Sequence, residues 1–310
     1  MKRKGKSTPA ETQSDSAGRP TVHKKQLSQL ENAGQTSENQ FFADEEHPAL
    51  KLRDQHFERC LFARIGLKKA ELDKTTFHRC VFVDCYLRCT RFHNVDFTGS
   101  FFKDCNLERA AFESCCLRYV RFRHCHLSYD ELLNCLPSEP NIAILLLKSL
   151  RANAVEMRDT EVVDRLLACQ IGVEMQELRN RVRGASEYYR SRYEGIDRLL
   201  SLVSLVSLML SGWIWGHGMS LKPLLRSASV VILAFAFLFY LYGSFSPEIA
   251  GSSEGFLKSL YLSVATFTSL GLPNLTPASG LTFLLCALES VLGIVFLGFL
   301  GAAVYRRFAR

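Results

Sequence analysis

A chain of 310 residues, 47% of them hydrophobic, has room for one or two domains plus tails. Its formal charge of +7 suits an anionic membrane surface or nucleic acid, and the apolar C-terminal third makes the membrane the simpler partner. The histidines are scattered and neither a Gly-rich phosphate loop nor an HExxH motif occurs, so nothing marks the chain as an enzyme or implies a cofactor or catalytic metal.

In chain order, residues 1–47 come first. They are polar, rich in Ser, Gln, Lys and Glu, and read as a disordered tail. The opening "MKRKGKSTPAETQ" is basic with no apolar stretch behind it, so no signal peptide is expected.

Residues 48–130 follow a short repeat. From Leu52 to Leu127 every fifth residue is Leu or Phe without a break, as in Leu52, Phe57, Phe62 and Leu67 or Phe92, Phe97 and Phe102. The residues two before these are mostly small, among them Cys60, Ala70, Thr75, Cys80, Thr90, Ser100 and Ala110. Neither a 3.6-residue helix nor a two-residue strand keeps two positions of every five facing inward. A solenoid that turns every five residues does.

The pattern resembles the pentapeptide-repeat family. The resemblance implies a right-handed, four-sided β-helix with Leu or Phe on its axis and the small residue beside it. About four coils are then expected, roughly 19 Å of rod at about 4.8 Å per coil. Cys60, Cys80, Cys85, Cys105, Cys115 and Cys125 fall at the small inward position, where Cys serves as a compact hydrophobe. A zinc site at Cys80, Cys85 and Cys89 is the sharper reading, but the repeat already accounts for two of the three. Unpaired thiols of this kind suit a reducing compartment. Family members that mimic DNA carry acidic surfaces, whereas outward positions here lean basic, with Lys68, Lys69, Arg88, Arg91 and Arg121. A solvated rod used in assembly is therefore preferred.

Residues 131–198 read as a helical connector. Ser128 is placed to cap "YDELLNCL", Pro137 and Pro140 interrupt, and "DTEVVDRLLACQIGVEMQELRNRVRG" is amphipathic with Gly184 as its stop. "SEYYRSRYEGIDR" supplies Tyr and Arg for an interfacial collar. A nucleic-acid patch is the rival, but no stacking-platform motif supports it, and no nucleic-acid partner is expected. The connector's length and pattern resemble linker helices of pentapeptide-repeat proteins that carry an ion-channel module.

The apolar run 199–216 has a serine stripe, Ser201, Ser204, Ser207 and Ser211, and ends in Trp213 and Trp215. It reads as an interfacial or half-inserted helix. Residues 217–310 hold two runs long enough to span, Leu224–Gly243 and Leu281–Val304. Between them "GFLKSLYLSVATFT" is too short to cross but suits a half-helix that dips in and returns.

This order resembles the pore module of the potassium-channel superfamily, an all-α membrane unit. The most specific part is "SLYLSVATFTSLGLPNLTPASG", residues 259–280, against a family form close to "ALYFSVVTFTTVGYGDITPVTG". The resemblance implies a selectivity filter at Thr268, Ser269, Leu270, Gly271, Leu272, Pro273 and Asn274, supported by Thr266. Since the family encircles its pore with four such loops, it also implies a homotetramer passing a monovalent cation, potassium first. A half-helix ending near Thr268 turns its negative end toward the bilayer centre, and backbone carbonyls beyond it replace the ion's water. Three residues depart from the pattern. Pro273 stands at the second filter glycine, Leu272 lacks the Tyr hydroxyl, and Asn274 replaces an Asp. A weakly selective pore and a non-conducting scaffold both remain as readings.

Glu289 falls in the second spanning run, where a charge is expensive, and matches a Glu that hydrogen-bonds behind the filter in related channels. Gly293 reads either as a gating hinge or as a small residue for close packing. Lys222, Arg226 and the ending "VYRRFAR" place both ends of the pore module in the cytoplasm of a plasma membrane. The N-terminal domain is then cytoplasmic as long as 199–216 does not span.

Overall fold

The computed structural model describes residues 34–218, 221–242, 253–269 and 280–308. The chain divides into two compact units, Met1–Leu166 and Leu167–Arg310.

The first unit is a β-solenoid of about five turns followed by helices. Each strand pairs in parallel with the strand 20 residues on, as Phe42 with Phe62, Phe62 with Phe82, Phe82 with Phe102 and Phe102 with Phe122. Four such stacks form, starting at Thr36–Glu38, Phe41–Glu46, Lys51–Arg53 and, through the Gly66–Tyr86 and Tyr86–Asn106 bridges, along a fourth side. The solenoid is four-sided.

The repeat explains the geometry. Every fifth residue from Asn39 to His124 has positive φ, Asp44 at 60°, Arg64 at 52° and Cys89 at 58° among them. A non-glycine residue there costs about 1–2 kcal/mol. The corner is offset by a backbone bond to the next coil: Arg59 N–H donates to His78 O at 2.9 Å, and Arg79 N–H to Thr98 O at 2.9 Å. Every Leu or Phe of the series from Leu52 to Phe122 is buried. Phe42, Phe62, Phe82, Phe102 and Phe122 stack along the axis with centroids 4.5–5.2 Å apart. The small residues beside them donate to carbonyls of the preceding coil, Thr90 Oγ1 to Leu67 O at 2.7 Å and Ser100 Oγ to Phe77 O at 2.6 Å.

The solenoid begins earlier than expected. Strands Thr36–Glu38 and Phe41–Glu46 lie within the stretch read as a disordered tail, with Ser37 and Phe42 buried at core positions. The polar His47 at the next core position hid this coil, and the rod is longer than the expected four. Residues 1–33 of the tail lie outside the described residues.

Helices close the other end. α1 (Tyr129–Asn134) follows Ser128, which makes no side-chain cap bond; its Oγ instead accepts from Arg109 N–H at 2.8 Å and ties the helix to the last coils. α1 ends before Pro137, as expected, and α2 (Pro140–Glu156) starts afresh at Pro140, since proline suits the first helical turn. One face of α2 caps the open strand edge. Phe122 N–H donates to Ser149 Oγ at 2.9 Å, Cys125 N–H to Asn153 Oδ1 at 2.7 Å and His124 N–H to Glu156 Oε2 at 3.1 Å. Asn153 is fully buried and also donates to Cys125 O and Tyr129 OH. Unpaired sheet edges recruit other strands, so this cap ends the ladder. α3 (Thr160–Arg183) starts in this unit, where Arg165 pairs with Asp130 at 3.1 Å.

In the second unit α3 ends at Gly184, with φ +63°, as its sequence expects. α4 (Glu187–Arg192) folds back on it: Tyr189 OH donates to the buried Glu177 at 2.5 Å, and Arg181 lies over Tyr193. Burial and this carboxylate push the Tyr189 phenol up to about 12, so it remains a donor at neutral pH. Then come α5 (Ile196–Trp215), α6 (Leu221–Tyr242), α7 (Ser253–Phe267) and α8 (Gly280–Phe308). Three of these, α5, α6 and α8, are long and apolar enough to cross a membrane. α5 therefore meets the length of a full span, which an interfacial helix does not need. Its end is stapled to α6, where Arg226 donates to Trp213 O at 2.6 Å and Ser227 to Ile214 O at 2.6 Å.

Candidate functional site

α7 has 15 residues, about 22 Å at 1.5 Å per residue, short of a bilayer core of about 30 Å. It packs on α6 and α8 through Leu262, Phe235 and Phe239, flanked by Leu285 and Leu292. These apolar side chains fix its axis.

The end of α7 brings Thr266, Thr268 and Ser269 together. Thr268 N–H and Thr268 Oγ1 both donate to Val264 O, at 3.0 and 2.7 Å. Ser269 takes a φ of +55° and donates its N–H to Thr266 O at 3.1 Å, a left-handed helix end. Ser290 Oγ reaches the Thr266 carbonyl at 3.5 Å. Leu270, Gly271, Leu272, Pro273 and Asn274 lie outside the described residues.

Glu289 is fully buried on α8 and contacts Ser263 on α7, also fully buried. Ser263 Oγ lies 2.9 Å from the Ile232 carbonyl on α6. The Ser263 hydroxyl is shared as a donor between Glu289 and the Ile232 carbonyl, so the carboxyl buried among apolar helices keeps a hydrogen-bond partner. The three helices are thus joined at one polar point. Ser263 was not singled out from the sequence, although Ser259 and Ser263, spaced one helical turn apart and both buried, were its signal.

Gly293 lies against the end of α7. A Cβ built there would fall 1.8 Å from Phe267 O, so the helix backbones meet where only glycine fits. α8 runs as one helix through this point. The geometry is that of close packing.

On the solenoid, 20-residue coils and inward Leu or Phe at every fifth residue agree with the family model for pentapeptide repeats, which matches residues 67–104 and 90–128. The solenoid is a pentapeptide-repeat domain. Among solved structures, two trypsin-treated variants of QnrB1, described as a plasmid-mediated fluoroquinolone resistance protein, are similar at 12% and 13% identity. Each covers 34% of this chain, with 81% and 77% of the QnrB1 chain matched and TM-scores of 0.18 and 0.16. A pentapeptide repeat protein from the thylakoid lumen of Arabidopsis thaliana is similar at 13% identity over 36% of this chain and 74% of its own, with a TM-score of 0.16. No curated protein matches the chain.

The pentapeptide-repeat domain keeps its six inward-position cysteines buried, with Cys89 and Cys116 half-buried. Cys80 donates toward Phe57 O and Cys85 toward Phe62 O, on successive sides of the coil, and Cys89 is half-buried at a corner. Burial pushes the Cys115 thiol up to about 12, and the sulfur of Cys60 together with burial pushes Cys80 up as well. Such thiols are poor nucleophiles at neutral pH. Outside, charges alternate from coil to coil: Lys51 and Arg91 flank Glu71 at 2.9 and 3.5 Å, and Arg53 meets Asp73 at 3.2 Å.

Proposed function

We propose that the chain is one subunit of a homotetrameric cation channel whose pentapeptide-repeat domain lies in the cytoplasm. In this reading α6 is the outer helix, α7 the pore helix and α8 the inner helix. The observation that carries it is α7, a helix too short to cross, seated against two helices long enough to cross and ending at Thr268 and Ser269. The negative end of its dipole favours a cation, and carbonyls from Thr268 to Asn274 replace the water of a permeant monovalent ion, potassium first. Glu289 and Ser263 hold the pore helix to both neighbours, and Gly293 lets the inner helix approach its end. The basic residues Lys222 and Arg226 before α6, with the basic C-terminus, keep both ends of the pore module in the cytoplasm of the plasma membrane, with α5 in the interface.

A second reading is a membrane-anchored pentapeptide-repeat scaffold with a vestigial pore. The family match on the solenoid and proline at position 273 favour it. Reversal potentials of the purified chain in planar bilayers, under asymmetric potassium and sodium, separate the two. The channel reading expects conductance with a weak potassium preference, because Pro273 cannot take the positive φ open to glycine. Leu272→Tyr combined with Pro273→Gly is expected to sharpen that preference. Silence from both chains hands the function to the scaffold, and sharp selectivity in the parent overturns the reading of Pro273.

A further inference from the structure

The first unit carries a groove of about 970 Å³ between the outer surface of the last coils and α2. Its depth comes from one corner column, Arg79, Gly99 and Tyr119, all with left-handed backbone. A Cβ at Gly99 would sit 3.3 Å from Arg79 Cγ, so the missing side chain leaves room beside Arg79. The opposite wall is a single face of α2, including Leu145, Lys148 and the small Ala152.

Four cations line the groove, Arg79, Arg121, Arg123 and Lys148, against one carboxylate, Glu156. Glu156 is already used: it pairs with Arg123 at 3.5 Å and accepts the His124 N–H. Arg121 covers the Phe101 ring at 5.5 Å. Arg79, Arg121 and Lys148 form no ion pair among the described residues, and all three are exposed. Tyr119, 52% exposed, and Leu145, 50% exposed, offer apolar surface at the same place.

We infer that this groove binds an organic phosphate of nucleotide size. Three cations with no ion pair among the described residues line one groove and attract a compact polyanion, and guanidinium forks match phosphate oxygens. The volume falls within the range of about 300–1,000 Å³ typical of small-ligand sites. A planar ring gives the exposed Tyr119 and Leu145 a partner, which inorganic phosphate does not. An extended acidic peptide would use the cations but leave the apolar surface of Tyr119 and Leu145 without a ring partner. The inference stands on the first unit alone and is independent of the pore.

The test is calorimetric titration of the full chain, held in nanodiscs of zwitterionic lipid, with ATP, GTP, adenosine, inorganic phosphate and a hexaglutamate peptide. At least one nucleotide is expected to saturate with a Kd below about 1 mM, with adenosine and phosphate each about 10-fold weaker or more. Lys148→Glu and Arg79→Glu, both on exposed side chains, are each expected to weaken that nucleotide about 10-fold or more while leaving the circular dichroism unchanged. The inference is overturned if neither nucleotide saturates, if both charge reversals leave the affinity unchanged, or if hexaglutamate binds more tightly than either nucleotide.

Discussion

At Gly293 the carbonyl of Phe267 occupies the space a methyl group would need. Gly293→Ala therefore forces α8 away from the end of α7, at a cost of about 1–3 kcal/mol. Gly298 on the same helix has nothing within 4 Å of its Cβ position, so Gly298→Ala is expected to be neutral or mildly stabilising. Thermal unfolding of the two variants in detergent checks the contrast; equal behaviour would remove the close contact. Asp96 offers a pH test in the solenoid. Burial alone would raise its pKa, but hydrogen bonds from Thr98 and His78 outweigh that and hold it below its ordinary value of 3.8. A carboxylate depressed in the folded state stabilises above the ordinary value and loses that contribution as pH falls through the folded one. With a side chain 34% exposed, the effect is about 1 kcal/mol after solvent screening. Asp96→Asn is thus expected to be less stable than the parent in urea at neutral pH and to converge with it as pH falls below 3.8 and through the lowered folded-state value.

Among the elements, α2 does for the last coil what a further coil would do. Asn153 serves Cys125 N–H, Cys125 O and Tyr129 OH from inside the cap. Asn153→Leu leaves these groups buried without partners, a loss of about 2–4 kcal/mol. Urea denaturation followed by far-ultraviolet circular dichroism measures it, and the exposed edge is expected to promote self-association on sizing columns. A variant as stable and monodisperse as the parent would show that α2 caps nothing. The solenoid itself was legible because Leu or Phe recurs with one period from Leu52 to Leu127. Its first coil was not, since His47 carries a polar side chain at a position that elsewhere holds Leu or Phe. The cap was hidden for another reason. Ser149, Asn153 and Glu156 look like ordinary helix residues until the fold sets them opposite the strand edge at Phe122 to Cys125. In the apolar C-terminal helices Glu289 stood out as a carboxylate within an apolar run, whereas Ser263, its partner, is one serine among several. Gly293 supported two readings because spacing alone does not say what lies across from a glycine.

For the whole molecule the open question is which side of the membrane each unit faces. Cysteines introduced at Ser253, Arg310 and Arg192, in a background carrying Cys169→Ser and Cys286→Ser, report it with an impermeant maleimide. Cys60, Cys80, Cys85, Cys105, Cys115 and Cys125 are buried and should stay silent, while the half-buried Cys89, Cys116 and Cys135 are also replaced by Ser in that background. The proposed topology expects Ser253→Cys to label from outside intact cells, while Arg310→Cys and Arg192→Cys label only after lysis. Labelling of Arg192→Cys from outside would make α5 a third span and move the pentapeptide-repeat domain across the bilayer. The coil length of 20 residues also governs which changes of length the chain can absorb. Excising one whole coil, such as 76–95, rejoins every ladder and leaves each face pointing as before. Excising a single five-residue repeat turns everything after it by a quarter revolution about the axis. Arg79 and Tyr119 would then stand on different sides, and Lys148 would be carried away from Arg79. Gene-level insertions and deletions in this region are accordingly expected to be tolerated in steps of a full circuit, whereas loss of one side rotates the surface and sets Leu87 where Phe82 stacks on Phe62.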